Sequence, residues 1–263
     1  MIALMWLCRF AATMAVVLGI SSLAAAKDKP AASIDTKTIE ASVIIEDALK
    51  AYPGLYDNLL AEGRREMAKW RADADKDRKE MPDLFSSGRR YSFERTYSER
   101  SVISHYVSVE RVDYMDGLGA HPNHATDVIL WDSAAKKRVS IRPFFKETAD
   151  DGATMQTLAK AIRTALVAEK KSRDIPDADK DPGIDNVKPK ILSIGAIALA
   201  PSTAKDKSSG LITYFSPYAV GAYAEGGYVV FVPWTVFKDR LSPEGAALFG
   251  GDRPEDDAKK DEQ

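Results

Sequence analysis

The sequence predicts an α+β fold: an antiparallel sheet with helices packed on one face, built as a single compact domain. Several short runs alternate apolar and polar residues with a period of two, as half-buried strands do. Two longer segments repeat apolar residues at helical spacing. The chain has 263 residues, enough to bury a full core without disulfides or a structural metal.

The amino-terminal segment predicts export. Residues 1–26 read MIALMWLCRFAATMAVVLGISSLAAA, and Arg9 is their only charge. This pattern is typical of a secretory signal peptide cleaved after Ala26, so we expect a periplasmic or secreted protein that is not held at a membrane after cleavage. An uncleaved membrane anchor is the alternative, because the segment approaches spanning length. Cys8 lies inside it, and the mature chain then has no cysteine for disulfides, catalysis or metal ligation.

Composition divides the remaining chain. Residues 27–35 are predicted to be a disordered linker, and residues 251–263 a charged disordered tail. The folded domain is placed at residues 36–250, with an N-terminal part at about 36–110 and a C-terminal part at about 111–250. The whole chain has a formal charge of −2, and cleavage removes a further positive charge, so nucleic acid and anionic membranes are unfavoured partners.

In the N-terminal part, residues 39–45 predict a strand. Leu55 to Trp70 then recur at helical spacing, and the charged run RADADKDRKE is interpreted as the solvated end of that helix. Two alternating runs predict an antiparallel hairpin whose turn is SERS at 98–101. One face of the first strand has Tyr91, Phe93, Arg95 and Tyr97, and one face of the second has Ile103, His105, Val107 and Val109. Because the other residues of the second face are apolar, His105 is predicted to be a core histidine.

In the C-terminal part, residues 126–131 predict a strand, followed by a short one at 139–141. Met155 to Leu166 mark one apolar helix face, with Asp150 or Asp151 as its cap and a basic end at 170–173. A polar loop at 174–190 lacks the spacing of a calcium loop. Further strands are expected at 191–199, 211–215 and 228–232, then a short helix near Trp234.

The stretch GLGAHPNHATDVILWD, residues 117–132, contains two of the three histidines. Pro122 separates His121 from His124 and prevents a helix that would place both on one face. Too few ligands lie nearby for a zinc site. A shaped loop remains, either bonded to its own backbone or facing a ligand. Motifs for a serine nucleophile, a phosphate loop or a zinc protease are missing, so no catalytic residue, metal or cofactor is predicted.

Two elements carry a resemblance. YMDGLGAHPN at 114–123 is similar to a Y-x-x-G-G-A-H-P-N element, with Leu118 at the first of the paired glycines. GLITYFSPYAVGAYAEGGYVVFVPW at 210–234 is similar to a second element, and YPGL at 52–55 to a third. The chain thus resembles, over about residues 36–250, a bacterial extracytoplasmic domain family of unknown function typified by domains of the anti-sigma factor RsiV and the deacetylase PdaC.

The resemblance implies an α+β domain with an antiparallel sheet that can bind a cell-wall-associated protein or glycan outside the cytoplasm. The function we expect is a non-enzymatic binding or sensing domain for a lysozyme-like protein or peptidoglycan of the cell envelope. The signalling and deacetylase activities are not carried over, because they belong to other segments of those proteins. An envelope glycan or peptide hydrolase that uses His121 or His124 with nearby carboxylates is the alternative.

The segment SPYAVGAYAEGG, residues 216–227, combines three glycines with two tyrosines. We expect a shaped loop that places these rings beside loop 117–124, so that both family-like elements form one surface. The alternative is that both rings plug the end of the core. The candidate ligand-binding residues are Tyr114, His121, Pro122, Asn123, His124, Tyr218 and Tyr223.

Overall fold

The computed structural model describes residues 29–262, and the predicted signal peptide lies outside this range. Nine strands and four α-helices are found within it. A six-stranded sheet contains β1 (Ala32–Asp35), β2 (Ile39–Ile45), β3 (Tyr91–Ile103), β4 (Tyr106–Asp116), β5 (Asn123–Asp132) and β6 (Lys137–Val139). A three-stranded sheet contains β7 (Ala196–Leu199), β8 (Gly210–Phe215) and β9 (Tyr228–Pro233). The helices are α1 (Pro53–Glu80), α2 (Ala153–Ser172), α3 (Pro243–Leu248) and α4 (Glu255–Ala258).

The α+β class is confirmed, with two sheets where the sequence predicted one. Strands follow chain order in both sheets, and neighbouring strands are antiparallel except β2 and β3. Those two are parallel because α1 lies between them in the chain and returns it to the end of the sheet at which β2 began. The predicted hydrophobic pattern therefore holds within each element, but it did not indicate how the strands divide between sheets.

Helix α1 covers one face of the six-stranded sheet. Its apolar side, which includes Leu55, Leu59 and Met67, packs mainly over β2 and β3, in a core that also contains Val107 and Val109 of β4. Gly63 lies so close to Val43 that a Cβ atom there would be 2.7 Å from the valine side chain. The charged end of the helix is solvated, as predicted, although Ala74 within it is buried. Over residues 29–262, no helix combines the length and apolar character that a membrane span requires.

The three-stranded sheet packs on the opposite face of the first sheet. Ser108 of β4 accepts a hydrogen bond from the Leu199 amide of β7 at 3.1 Å, and Ser101 of β3 donates to the Leu199 carbonyl at 2.6 Å. Helix α2 packs on the far face of this second sheet, mainly along β9. The layers are therefore α1, the six-stranded sheet, the three-stranded sheet and α2.

The predicted hairpin turn is wrong. Residues 98–101 belong to β3, which continues to Ile103 through an irregularity between Glu99 and Ser101. The chain turns instead at Ser104, whose φ of 55° is left-handed. The strand continues because Ser101 is buried and bonded to the second sheet. His105 consequently lies in the turn with 43% of its side chain exposed, and it is not a core histidine.

Both predicted disordered ends contain ordered structure. Ala32–Asp35 forms β1, which pairs with β2, and residues 255–258 form α4. The charges of the tail are matched by buried arginines: Asp257 is 3% exposed and accepts from Arg100 and Arg253. Two other boundaries differ from prediction. Strand β7 begins only at Ala196, and Gly152 caps α2 while Glu147 accepts from the Thr154 amide.

Candidate functional site

Two loops meet at one end of the sheets. Loop A, residues 117–122, joins β4 to β5, and loop B, residues 216–227, joins β8 to β9. The Tyr223 hydroxyl donates to the Pro122 carbonyl at 2.6 Å, and the Tyr223 ring stacks on His121 with centroids 4.1 Å apart. The Tyr218 ring lies 5.1 Å from Tyr223. The predicted meeting of the two loops is confirmed, and we call His121, Pro122, Tyr218 and Tyr223 the aromatic surface.

Two hydrogen bonds hold the His121 ring in place. Its Nδ1 lies 2.8 Å from the Pro122 carbonyl, which can only accept, so this nitrogen carries the proton. Its Nε2 lies 3.3 Å from the Tyr218 hydroxyl, at hydrogen-bond distance. His121 and Tyr218 are exposed, and 55% of Tyr218 faces solvent. Tyr218 therefore does not plug the core, whereas Tyr223 is half-buried.

Loop A keeps the backbone of a glycine at a residue that is not glycine. Leu118 has a φ of 61°, in the left-handed region that favours glycine. The Asp116 carboxylate accepts from the Leu118 amide at 2.8 Å, and the leucine side chain packs against the core beneath α1. These contacts offset the backbone strain, so the departure from the family-like motif leaves the loop in a glycine-compatible shape.

The other three candidate residues adjoin the aromatic surface. His124 pairs with Tyr114 across β4 and β5, and their rings lie 5.2 Å apart in an edge-on arrangement. Asn123 begins β5 and bonds the His124 amide through its own side chain. His124 is thus part of a strand, where the sequence had placed it in a loop. Its ring packs on a tyrosine, and no carboxylate among residues 29–262 is hydrogen-bonded to it.

Loop B is tied to the first sheet at its base. The Ser216 hydroxyl accepts from the Thr126 amide at 2.8 Å and donates to the Thr126 carbonyl at 3.3 Å. Tyr218 then adopts a φ of 70°, which is unfavourable for a large side chain. This strain is retained at an exposed ring that contributes little to the core.

A buried ammonium group holds the other end of loop B. Lys170 of α2 is fully buried, and its Nζ lies 2.5 Å from both Glu225 and Asp181. Glu225 also accepts from the Tyr228 hydroxyl at 2.5 Å and the Ala222 amide at 2.7 Å. Burial alone would raise the pKa of Glu225, but Lys170 and these donors outweigh it and lower the pKa to about 2.

This supporting cluster was not predicted, although the sequence contains a signal for it. The sequence pattern places Lys170 in the basic end of α2. It nevertheless follows Leu158, Ile162 and Leu166 at the spacing of the apolar face. A charged residue in register with a buried stripe needs a partner. The two acids that supply it are 11 and 55 residues away along the chain, beyond the reach of any local pattern.

A second buried charge network lies beneath α1. Arg95 of β3 forms a paired bond to the Asp113 carboxylate, with both distances 2.6 Å, and contacts Glu62 of α1 at 3.3 Å. Arg111 and Arg138 also donate to Glu62. Burial would raise the pKa of Glu62, but these arginines lower it. The network joins α1 to β3, β4 and the chain after β5, and it supports the end of β4 from which loop A leaves.

No candidate metal site is found in the part of the chain that the structure describes. No three His, Cys, Asp or Glu side chains there are grouped as metal ligands. The aromatic surface instead offers exposed ring faces, a tyrosine hydroxyl and the edge of an imidazole. Such groups provide contact area with little conformational freedom, together with a few hydrogen bonds.

A protein-family model matches part of the chain. Residues 144–235 match the model of a family described as a protein of unknown function, DUF3298. This match includes loop B and excludes loop A. No curated protein matches the chain.

Two solved DUF3298 proteins share the architecture. A DUF3298 family protein from Pseudomonas aeruginosa PAO1 superposes with a TM-score of 0.51 at 15% identity, over 81% of this chain and 87% of that one. A member from Bacteroides fragilis NCTC 9343 also gives 0.51, at 14% identity, over 82% and 96%. At these identities the likeness establishes a common fold and nothing about activity.

Proposed function

We propose that the chain is an exported, non-enzymatic binding or sensing domain whose aromatic surface takes a lysozyme-like protein or peptidoglycan of the cell envelope. The resemblance of both loop motifs to the RsiV and PdaC domains supports an extracytoplasmic ligand. The DUF3298 match supports the same family for residues 144–235. The signal-peptide pattern of residues 1–26 supports export.

The observation that carries the proposal is the exposed, constrained ring of Tyr218. Its backbone is left-handed, which costs roughly 1–3 kcal/mol for a non-glycine residue. Its side chain is more than half exposed, so burial returns little of that cost. The ring is instead fixed by neighbours, with its hydroxyl on His121 and its face beside Tyr223. Pre-ordered aromatic rings of this kind are suited to contact a partner or a sugar face.

Ligand capture by the exported protein tests the proposal. Material purified from the periplasm is sedimented with insoluble peptidoglycan and, separately, titrated with hen lysozyme by calorimetry. We expect one of these ligands to bind, and Tyr218→Ala to weaken it at least tenfold, which is the usual effect of losing a central ring. The free energy of unfolding should change by less than about 1 kcal/mol, because the ring is exposed.

Val102→Ala is the matched control. Val102 is 42% exposed and lies at the other end of β3 and β4, roughly 30 Å from loop A by strand length. It should bind as the wild type does. Equal binding by Tyr218→Ala, or binding of neither ligand by the wild type, contradicts the proposal. Release of soluble peptidoglycan fragments that is lost in His121→Ala would replace it with the hydrolase alternative.

A further inference from the structure

A cavity of about 750 Å³ lies between the two sheets, apart from the aromatic surface. Its mouth is formed by exposed residues that include Arg173 and Gly227. Apolar and aromatic side chains form much of its wall: Phe215, Tyr228 and Val229. Thr126, Ser172 and Tyr214 line it as well, and four charged residues complete the lining: Glu110, Glu169, Arg173 and Asp261.

Three of the four charges are neutralised within the protein. Glu169 accepts from Arg173 at 2.7 Å, and Arg173 also lies over the ring of Tyr228 and bonds the Gly227 carbonyl. Asp261 accepts from Arg253 at 2.6 Å and from Arg100 at 3.3 Å. The remaining charges of Arg100 and Arg253 are met by the buried Asp257. This part of the lining is therefore balanced.

Glu110 is the exception. It lies on β4 between Ser98 and Val128, half-buried, and its carboxylate makes no hydrogen bond or ion pair with any residue in 29–262. Arg100 is the cation that acts on it, yet the hydrogen bonds of Arg100 go to Tyr214, Asp257 and Asp261. The cavity thus has one unmatched negative charge beside an apolar wall.

We propose that this cavity binds an alkylammonium group, whose charge pairs with Glu110 and whose hydrocarbon stem lies against Phe215 and Val229. A cation with a short apolar stem satisfies both features of the lining. An anion would be repelled by the Glu110 carboxylate, and a neutral alcohol would leave the charge of Glu110 without a partner. Burial raises the pKa of Glu110, Arg100 lowers it and the charge of Asp261 raises it again, so a cation beside this partly desolvated carboxylate gains more than one beside an exposed carboxylate.

The same ammonium group occurs in free aliphatic amines and in lysine side chains. Hexylammonium chloride represents the free amine, and Nα-acetyl-lysine methylamide represents a lysine within a chain. Hexan-1-ol has the same stem without the charge. Each is titrated into the folded ¹⁵N-labelled protein, and binding is followed by the shifts of the backbone amides of Glu110, Thr126 and Val229, which lie around the cavity.

We expect saturable shifts at these amides with hexylammonium and none with hexan-1-ol over the same concentrations. Glu110→Gln should raise the Kd at least tenfold, and Glu80→Gln, an exposed carboxylate at the end of α1, should leave it unchanged. If the lysine derivative also gives saturable shifts, then the cavity accepts the ammonium group of a lysine side chain as well as that of a free amine. Equal shifts with hexan-1-ol, unaltered binding by Glu110→Gln, or shifts confined to other amides would overturn the proposal. The alcohol comparison needs only the wild type, so it stands even if Glu110→Gln does not fold.

Discussion

Loop A and loop B contribute to the same aromatic surface but are held by different means. Loop A is short and is shaped by its own sequence, through the Asp116 carboxylate and the left-handed Leu118. Loop B is longer and is fixed from outside, by Thr126 at one end and by the buried Lys170 at the other. Local bonding makes a loop that tolerates change around it. Long-range ion pairing makes one whose order depends on the whole domain.

This difference predicts where the aromatic surface is most vulnerable. The His121 ring of loop A stacks on Tyr223, and the position of Tyr223 is set by loop B. Loss of the charges behind loop B should release Tyr223 while leaving loop A folded. Changes in loop A should have smaller and more local effects. Three experiments follow, beginning with the largest expected effect.

Lys170→Met should destabilise the domain by about 3 kcal/mol. Methionine fills a similar volume, but Glu225 and Asp181 are left as partly buried carboxylates without their cation. Urea unfolding measures the change, and Lys171→Met, one residue further on an exposed position, is the control. The variant should also lose the ligand binding that we propose for the aromatic surface. A loss no greater than that of Lys171→Met would mean that Lys170 does not support loop B.

Acid should remove the contribution of Glu225 in a defined window. Its folded pKa of about 2 lies below the ordinary value of 4.5, so its stabilisation is full above pH 4.5 and is lost as pH falls towards 2. We expect Glu225→Gln to be less stable than wild type by on the order of 2 kcal/mol at pH 6. That difference should shrink between pH 4.5 and pH 2.5 in urea unfolding. A constant difference would assign the effect to packing.

The regular elements were predictable because their stabilising contacts are periodic. The apolar face of α2 and the alternating run from Tyr91 to Tyr97 both form the predicted elements. Boundaries failed where a contact from another layer decides them. Ser101 stays in β3 because it bonds Leu199, nearly a hundred residues away, and the charged tail is ordered because Arg100 donates hydrogen bonds to Asp257. Sequence spacing contains no information on such partners.

The site shows the same division. The meeting of Tyr218 and Tyr223 with loop A was predicted from two glycine-rich segments and the family resemblance, and the geometry confirms it. The means of support were not predicted, because Lys170 was interpreted only as part of the basic end of α2. Glu110 was likewise unremarkable in sequence, since alternation along β4 does not reveal which polar side chain the second sheet will cover. Burial of a charge becomes visible only when the layers are assembled.

The smallest expected effect comes from Leu118, and it tests whether loop A is shaped locally. Leu118→Ala keeps the left-handed strain of a side-chain-bearing residue and removes the packing of leucine on the core. Leu118→Gly removes the same packing but also relieves the strain, which is roughly 1–2 kcal/mol. Glycine loses part of that advantage through the freedom of its unfolded chain, roughly 0.5–1 kcal/mol. We therefore expect the glycine variant to be more stable than the alanine variant by about 1 kcal/mol, although glycine is the smaller residue.

Urea unfolding of the two variants measures this order. Ala120 is the control, because it is exposed and has no left-handed backbone, so Ala120→Gly should be less stable than the wild-type alanine. If alanine is the more stable at 118, the loop has relaxed from its left-handed form, and its shape depends on loop B rather than on its own sequence.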